Sequence, residues 1–120
     1  MPSNQDLLAQ LAVTRTIDLT TYGRRSKEAR RIEIWWFHFE DRFVITGTPG
    51  RRDWLANVRA NPSIIIHALG WDLTARAVEI GNADFRRRLF SGSETRWYRT
   101  QTELDRLVMH APMIEVIFDP

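Results

Sequence analysis

A cationic segment lies directly beside the most aromatic stretch of the sequence. Residues 24–31 hold four arginines and one lysine, and residues 32–39 read Ile-Glu-Ile-Trp-Trp-Phe-His-Phe. Guanidinium forks grip phosphate and carboxylate groups, and aromatic rings stack on flat ligands. The juxtaposition leaves three interpretations open: a nucleic-acid surface, a site for a phosphorylated cofactor that carries a ring, and a solvated loop before a core strand.

A second segment, residues 47–62, combines glycines, arginines and a tryptophan at the start of a predicted helix. Gly47 and Gly50 allow backbone amides to approach an anion closely. The helix that follows directs its partly positive N-terminus toward the same place. Trp54 could stack on a flat ring there, or it could anchor the helix in the core.

Length and composition predict one folded domain over residues 1–120. Hydrophobic residues make up 43% of the chain and charged residues 27%, as in ordinary globular proteins. No apolar run reaches the roughly 20 residues of a transmembrane helix, and the first residues lack a signal-peptide pattern, so a cytoplasmic location is expected. The absence of cysteine excludes disulfides and thiolate catalysis.

The cations are unevenly distributed along the sequence. Sixteen arginines and one lysine give a net charge of only +2, but they cluster at 24–31, 51–52 and 86–88. The clustering predicts an anionic partner. Nucleic acid is not the expected partner, because the net charge is small and the aromatic side chains alternate along a strand predicted to be covered on both faces.

No self-contained catalytic set stands out in the sequence. His38, His67 and His110 fall in separate elements, without carboxylates at metal-ligand spacing, so they are interpreted as satisfied histidines and no metal site is predicted. A nucleophile elbow and a phosphate-binding P-loop are also missing. An enzyme built from this chain would therefore take its chemistry from a bound cofactor.

The periodicity of apolar residues predicts a mainly β fold with helices. The predicted strands are 14–21, 31–40, 43–47, 63–69, 71–80 and 112–120, and the predicted helices are 4–13, 52–60, 81–90 and 93–110. The last three helices are predicted to be capped near Asp53, by Asn82, and by Ser93 or Thr95. Six strands joined mainly by hairpins favour a closed antiparallel barrel with helices at its rim.

Three stretches together, "TTYGRRSKEARRIEIWWF", "DRFVITGTPG" and "DWLANVRANPSIIIHALGWDLTARA", resemble the deazaflavin-dependent nitroreductase family. The resemblance covers residues 18–80 well and implies a split β-barrel related to pyridoxamine-phosphate-oxidase-like flavin reductases. It further implies that the protein binds reduced coenzyme F-420, a deazaflavin whose tail carries a phosphate and oligoglutamate. Hydride transfer to a quinone, nitroaromatic or similar electrophilic acceptor would follow.

The resemblance also implies a set of site residues. Contacts to the anionic tail would come from Arg24, Arg25, Ser26 and Arg30. The backbone along the cofactor would be that of Ile32, Glu33, Ile34 and Trp35. The loop and helix beside the ring would supply Thr46, Gly47, Thr48, Trp54 and Asn57. Tyr98 lies nearest to a family tyrosine close to the substrate and would share proton donation with solvent, although it could equally be a rim residue.

The chain departs from the family pattern at several positions. Lys27 replaces a glycine, Glu33 replaces a proline, and the sequence Gly-Thr-Pro-Gly at 47–50 lacks a phosphate-facing lysine that Arg51 or Arg52 could replace. Two alternatives therefore stay open: an FMN-dependent reductase of the same fold, and a split barrel that binds a cofactor without turnover. A homodimer is compatible with the apolar character of both faces of strand 31–40.

Overall fold

The structure is a computed structural model that describes residues 4–120. The strands are β1 (Thr16–Tyr22), β2 (Ala29–Phe39), β3 (Arg42–Thr46), β4 (Ser63–Ala68), β5 (Trp71–Glu79) and β6 (Met113–Phe118). The helices are α1 (Asn4–Ala12), α2 (Asp53–Ala60), α3 (Ala83–Phe90), α4 (Arg96–Gln101) and α5 (Leu104–His110). No helix within these described residues is both long and apolar enough to cross a membrane.

The six strands close into an antiparallel barrel in the order β1-β2-β3-β6-β5-β4, with β4 pairing back to β1. Inward side chains alternate along each strand, as the period of two requires. Ile17 and Leu19 of β1 and Trp36 of β2 share one apolar cluster in the interior. The closed barrel confirms the predicted fold class, and it leaves no open sheet edge.

Two helices cover the ends of the barrel. Leu11 of α1 packs into the interior cluster near the start of β1. Trp54 and Val58 of α2 enter the same cluster, and α2 contacts β1. Each of these three side chains is at most 6% exposed, so burial fixes both helices to the barrel.

The later part of the outer face of β2 is covered by the helices of the same chain. Phe37 is 2% exposed and belongs to a second apolar cluster with Phe85 and Phe90 of α3 and Leu107 of α5. This accounts for the apolar character of both faces of β2, which the sequence predicted. Trp35, earlier on the same face, remains 39% exposed.

The β2–β3 hairpin turns through two residues with positive φ. Phe39 pairs with Arg42, and between them Glu40 has φ 50° and Asp41 φ 60°. Two left-handed residues are typical of the turn that matches strand twist, although glutamate is an unusual occupant. Arg88 of α3 donates two hydrogen bonds to the Glu40 carboxylate, at 2.7 and 2.9 Å, and lowers its pKa.

The C-terminal helical region differs from the prediction of one helix over 93–110. A 3-10 turn at Ser93–Thr95 precedes α4, and the extended residue Thr102 separates α4 from α5. Neither Ser93 nor Thr95 caps a helix through its side chain; the Thr95 hydroxyl donates instead to the Leu89 carbonyl oxygen. Asn82 does cap α3, as predicted, by accepting from the Phe85 amide.

Two further sequence predictions need correction. The N-cap of α2 is Arg52, without a side-chain cap bond, and Asp53 is the first helical residue. The arginines at 86–88 are not a free cationic cluster. Arg87 pairs with Asp105 at 2.9 Å, Arg88 pairs with Glu40, and Arg86 is only 7% exposed.

Arg86 joins the barrel to α5 through backbone oxygens. Its guanidinium donates to the carbonyl oxygens of Val108 at 2.6 Å, Ile80 at 2.8 Å and Ala111. Burial lowers the pKa of Arg86, but the group remains charged at neutral pH. The bonds to Val108 and Ala111 satisfy carbonyls at the end of α5 that the helix itself cannot pair, and the bond to Ile80 ties them to the residue after β5.

We predict that Arg86→Gln lowers the free energy of unfolding by about 3 kcal/mol, because it leaves buried carbonyls without donors. Arg87→Gln on the same helix is the matched control. It removes only an exposed ion pair and should cost less than about 1 kcal/mol. Urea denaturation followed by tryptophan fluorescence measures both values. Equal losses in the two variants would contradict a structural role for Arg86.

Candidate functional site

A cavity of about 540 Å³ opens at the mouth of the barrel, where β1 ends and β2 begins. We call it the mouth cavity. The loop 23–28 forms one wall and α2 forms another. The lining residues are Thr21, Gly23, Arg24, Arg25, Ser26, Arg30, Ile32, Asp53, Trp54 and Asn57. Its volume lies in the range typical of small-molecule sites.

The side chain of Asn57 connects three parts of the cavity wall. Asn57 lies on α2 and is 3% exposed. Its Oδ1 accepts from the Arg24 backbone amide at 3.3 Å and from Arg24 Nη1 at 3.1 Å. Its Nδ2 donates to the Thr21 hydroxyl at 3.1 Å on β1. These bonds fix the arginine loop to the helix and the strand, since an unsatisfied buried amide would be costly.

The loop 23–28 is a tight, internally bonded turn. The Gly23 amide donates to the Glu28 carbonyl oxygen at 2.8 Å, and the Lys27 amide donates to the Gly23 carbonyl oxygen at 2.9 Å. A Cβ at position 23 would collide with the Ser26 hydroxyl, so a larger residue there would displace that side chain from its bond with the Glu28 amide. Lys27 adopts φ 64°, in the left-handed region where the related family has glycine. The lysine is therefore strained but accommodated.

The mouth cavity is positively charged. Arg24 lies 3.7 Å from the exposed Asp53 carboxylate, and Arg30 pairs with Glu28 at 3.2 Å. Arg25 has no ion-pair partner among the described residues. Three guanidinium groups thus face one cavity against one lining carboxylate, an arrangement suited to a phosphate or to several carboxylates. Trp54, 6% exposed, adds a flat ring to the same wall.

Seven of the predicted site residues line the mouth cavity, and the others lie elsewhere. The seven are Arg24, Arg25, Ser26, Arg30, Ile32, Trp54 and Asn57. Along β2, Ile34 packs on the barrel interior and Trp35 contacts Trp97 outside, with ring centroids 5.6 Å apart. Glu33 lines a different cavity on the outer face. Because alternate side chains point to opposite faces, its carboxylate does not face the mouth cavity.

The predicted ring-side loop is organised by Arg52. Its Nη2 donates to the Thr48 carbonyl oxygen at 2.8 Å and to the Thr48 hydroxyl at 3.0 Å. A Cβ at Gly47 would lie 3.3 Å from the same nitrogen, so the glycine makes room for the guanidinium. Thr46, 3% exposed, donates its hydroxyl to the Pro112 carbonyl oxygen at 2.6 Å. Of the two arginines that could replace the missing lysine, Arg52 is thus engaged within the loop.

Tyr98 lies in the aromatic cluster outside the barrel and does not line the mouth cavity. It is 4% exposed and its ring lies edge-on to Trp35, Phe37 and Trp97. Burial raises the pKa of Tyr98 to about 12, while the charges of Arg15 and Arg52 act in the opposite direction. The phenol is therefore neutral at physiological pH and retains a proton.

His67 and His38 contact neighbouring side chains of the same chain. His67 Nε2 lies 2.7 Å from the Thr20 hydroxyl, and its Nδ1 lies 2.6 Å from Asp72 Oδ1. His38 packs on the Phe43 ring with centroids 4.8 Å apart. Within residues 4–120, no group of three or more potential metal ligands comes together.

Three residues that line the mouth cavity were not among the predicted site residues: Thr21, Gly23 and Asp53. Thr21 lies at the end of the first predicted strand, two residues after Leu19. Its side chain therefore points to the same inward face as Leu19, at the end of the barrel. Asp53 was interpreted only as a cap. Its place in the first turn of a helix that follows two arginines is the signal that could have assigned it to the site.

Comparison with solved structures places the chain among split β-barrel proteins. A putative pyridoxamine 5'-phosphate oxidase from Listeria innocua superposes with a TM-score of 0.72 over 97% of this chain and 93% of that chain, at 11% identity. A structure described as a domain-swapped dimer gives 0.63 over 93% and 92%, at 16% identity. At these identities the likeness is one of fold.

The sequence matches the F420H(2)-dependent quinone reductase family over residues 3–109, and the chain belongs to that family. A solved F420-H2 dependent reductase is similar in structure, with a TM-score of 0.64, 19% identity, and coverage of 85% of this chain and 93% of that chain. A search of the curated proteins finds no match. The resemblance to deazaflavin-dependent reductases that the motifs indicated is confirmed.

We predict that Asn57→Ala releases the arginine loop and lowers the free energy of unfolding by about 2 kcal/mol, because Thr21 loses its buried donor. Hydrogen exchange of the segment 23–28 should become faster, since the Arg24 amide loses its acceptor. Asn61→Ala, at the end of the same helix, removes only an exposed bond to the Ser63 amide and should leave that exchange unchanged. Unaltered protection in Asn57→Ala would contradict this role.

We predict that stability falls as the pH rises from 10 toward 12, partly through Tyr98. An unfolded tyrosine releases its proton near pH 10, whereas the folded Tyr98 holds it to about 12, so the unfolded state binds fewer protons in this window. Tyr98→Phe should reduce this loss by about 2 kcal/mol at pH 12. Urea denaturation of both proteins at pH 8 to 12 measures the difference, and parallel curves would exclude the effect.

Proposed function

We propose that this protein is a deazaflavin-dependent oxidoreductase, in which reduced coenzyme F-420 passes a hydride to a quinone, nitroaromatic or similar electrophilic acceptor. Family membership supports dependence on F-420, and one observation supports the location of the site. Three arginines and a buried tryptophan line a single cavity at the barrel mouth. A phosphorylated, ring-bearing ligand needs both kinds of group close together.

The residues of the mouth cavity fit such a coenzyme. Arg24 and Arg25, with the hydroxyl of Ser26, would bind the phosphate or the first carboxylates of the tail. Arg24 is positioned in advance by its two bonds to Asn57, so less conformational freedom is lost on binding. Arg30 would add a further charged contact, and Trp54 would border the ring.

The loop 46–52 would border the ring end of the coenzyme. Arg52 is bound to Thr48, and these bonds hold the loop in one conformation. The space beside Gly47 and Gly50 is taken by the Arg52 guanidinium, whose nitrogens lie 3.3 and 3.1 Å from where Cβ atoms at these positions would be. A loop held in this way orients a bound ring without first having to be ordered.

When bound, the reduced coenzyme supplies the hydride, and the acceptor takes up that hydride and one proton in a two-electron reduction. The chain's own part is binding, orientation and proton supply. Tyr98 is retained as a proposed proton donor alongside solvent; burial raises its pKa to about 12, which makes it a weaker acid than a free phenol and favours solvent as the main source. Its low exposure and edge contacts with Trp35 and Trp97 mean that an acceptor would have to approach through these rings.

FMN remains the alternative cofactor. Two proteins of similar structure are described as a putative pyridoxamine 5'-phosphate oxidase and a FAD-binding protein. Their similarity to this chain is one of fold, so the support for FMN is limited to the fold. The same arginines would then bind the ribityl phosphate. FMN lacks the oligoglutamate tail, so relative affinity for the two cofactors separates the proposals.

A homodimer is a further proposal. The domain-swapped neighbour supports it, together with the exposed pair Trp35 and Trp97, which are 39% and 49% exposed. The helices α3–α5 already cover Phe37 and Phe39 on the outer face of β2, so a second copy would meet the earlier part of that face, where Glu33 and Trp35 are exposed.

We predict that the protein quenches or shifts the fluorescence of coenzyme F-420 on binding, and that Arg24→Ala and Arg25→Ala each raise Kd about tenfold or more through loss of a charged contact. Arg96→Ala is the control, because Arg96 is exposed, makes no ion pair within residues 4–120 and lies outside the mouth cavity. FMN is titrated in parallel. The reduced coenzyme is then mixed with menadione and a nitroaromatic, and its absorbance is followed.

The outcomes separate the alternatives. Tight F-420 binding that depends on Arg24 and Arg25, with reoxidation by an acceptor, supports the proposed function. Tight FMN binding with weak F-420 binding favours the FMN enzyme. Binding without reoxidation by any acceptor favours a cofactor-binding protein, and failure to bind either cofactor excludes the proposal.

A further inference from the structure

A separate cleft lies at the end of the barrel opposite to the mouth cavity, where β1 and β5 begin and β6 ends. It has a volume of about 380 Å³, and we call it the basal cleft. Its apolar walls come from Leu7, Leu8 and Leu11 of α1, Leu73 of β5 and Phe118 of β6. Among residues 4–120, none lines both the basal cleft and the mouth cavity. The proposed reduction therefore makes no use of this cleft.

The walls of the basal cleft leave apolar surface in contact with water. Leu11 is 1% exposed and belongs to the interior cluster, whereas Leu7, Leu73 and Phe118 pack against that cluster and are only half-buried. Leu8, on the same helix as Leu11, is 44% exposed. A ligand with an apolar body would remove this surface from water, which is favourable in proportion to the area covered.

The charged side chains at the basal cleft are two carboxylates, those of Asp72 and Asp119, and no lysine or arginine within residues 4–120 lines it. Asp119 makes no ion pair in this part of the chain, and its backbone amide donates to the Thr74 carbonyl oxygen at 3.1 Å, which fixes its place after β6. Asp72 Oδ1 lies 2.6 Å from His67 Nδ1, a contact that orients the carboxylate and leaves Oδ2 available. Two carboxylates beside an apolar cleft give it a negative potential that favours a cation.

We propose that the basal cleft binds an apolar amine. The ammonium group would pair with Asp119 and Asp72, and the hydrocarbon part would lie between α1 and the adjoining ends of β5 and β6. The volume is toward the lower end of the range of small-molecule sites, and such sites are typically apolar with a few polar groups that select the ligand.

Other classes of ligand match only one property of the lining. A neutral apolar molecule would cover the leucines but leave the carboxylates without a partner. A metal ion would meet too few ligands, because no group of three or more potential metal ligands comes together within residues 4–120. An anion would be repelled by Asp72 and Asp119.

The test compares octylamine, octanol and octanoate, which share one hydrocarbon chain and differ in charge, by isothermal titration calorimetry at neutral pH and low salt. Octylamine is protonated there, as the side chain of lysine is. We expect it to bind about tenfold more tightly than octanol, octanoate to bind more weakly than either, and the advantage of the amine to fall as sodium chloride is added. Methyl NMR shifts of Leu8 and Leu73 should locate the bound chain in the basal cleft.

The double variant Asp72→Asn, Asp119→Asn should bring the affinity for octylamine close to that for octanol, while octanol binds as before. The matched control Asp84→Asn, Glu103→Gln removes the same charge from exposed positions outside the cleft and should keep the advantage of the amine.

Equal affinity of the unmodified protein for octylamine and octanol would overturn the inference, as would an amine advantage that survives in the double variant. A preference for octanoate would also overturn it, since the N-terminus of α1 at Asn4 would then dominate the potential of the cleft. Failure of all three compounds to bind, or binding without shifts at Leu8 and Leu73, would exclude a site in the basal cleft.

Discussion

The position of the arginine loop depends on one buried amide. Asn57 cannot be buried on α2 unless its oxygen and nitrogen find partners, and those partners are Arg24 and Thr21. The burial itself is driven by Trp54 and Val58, which bring α2 into the barrel core. Apolar packing thus fixes the helix, and the amide transmits that position to the charged loop. The cationic wall of the cavity is a consequence of core packing and not of a free surface loop.

Along β2, alternate side chains face opposite sides of the barrel wall. Ile32 faces the mouth cavity, and Glu33 faces the outer surface beside Asp18 and His67. The strand can therefore carry a carboxylate next to a cationic cavity without neutralising it. A departure from the family pattern that looks unfavourable in sequence thus places its carboxylate on the outer face and not in the cavity lining.

The barrel could be predicted from the sequence because strand alternation and hairpin turns are local signals, and Asn82 was identified as a cap for the same reason.

Prediction from the sequence failed where contacts with residues distant in the sequence determine the local structure. Arg86 was grouped with its exposed neighbours Arg87 and Arg88. It lies three and four positions before Leu89 and Phe90, however, and therefore shares their buried helix face. The break at Thr102 was missed because the surrounding residues favour a helix and the interruption lies between two helices packed separately against α3. Of the site, the loop and helix residues were predictable from the family motifs, but the engagement of Arg52 with Thr48 was not.

A chain with a net charge of only +2 can present a strongly cationic site because some of its arginines have partners and others do not. Most of its arginines are paired with carboxylates or donate to backbone oxygens, as Arg86 does. Of the arginines without such a partner among the described residues, Arg25, Arg51 and Arg106 lie around α2, whereas Arg76 and Arg96 lie elsewhere. Pairing in the tertiary structure therefore leaves three unpaired arginines close together around α2. This concentration suits a protein whose side chains bind and orient an anionic coenzyme and leave the redox step to it.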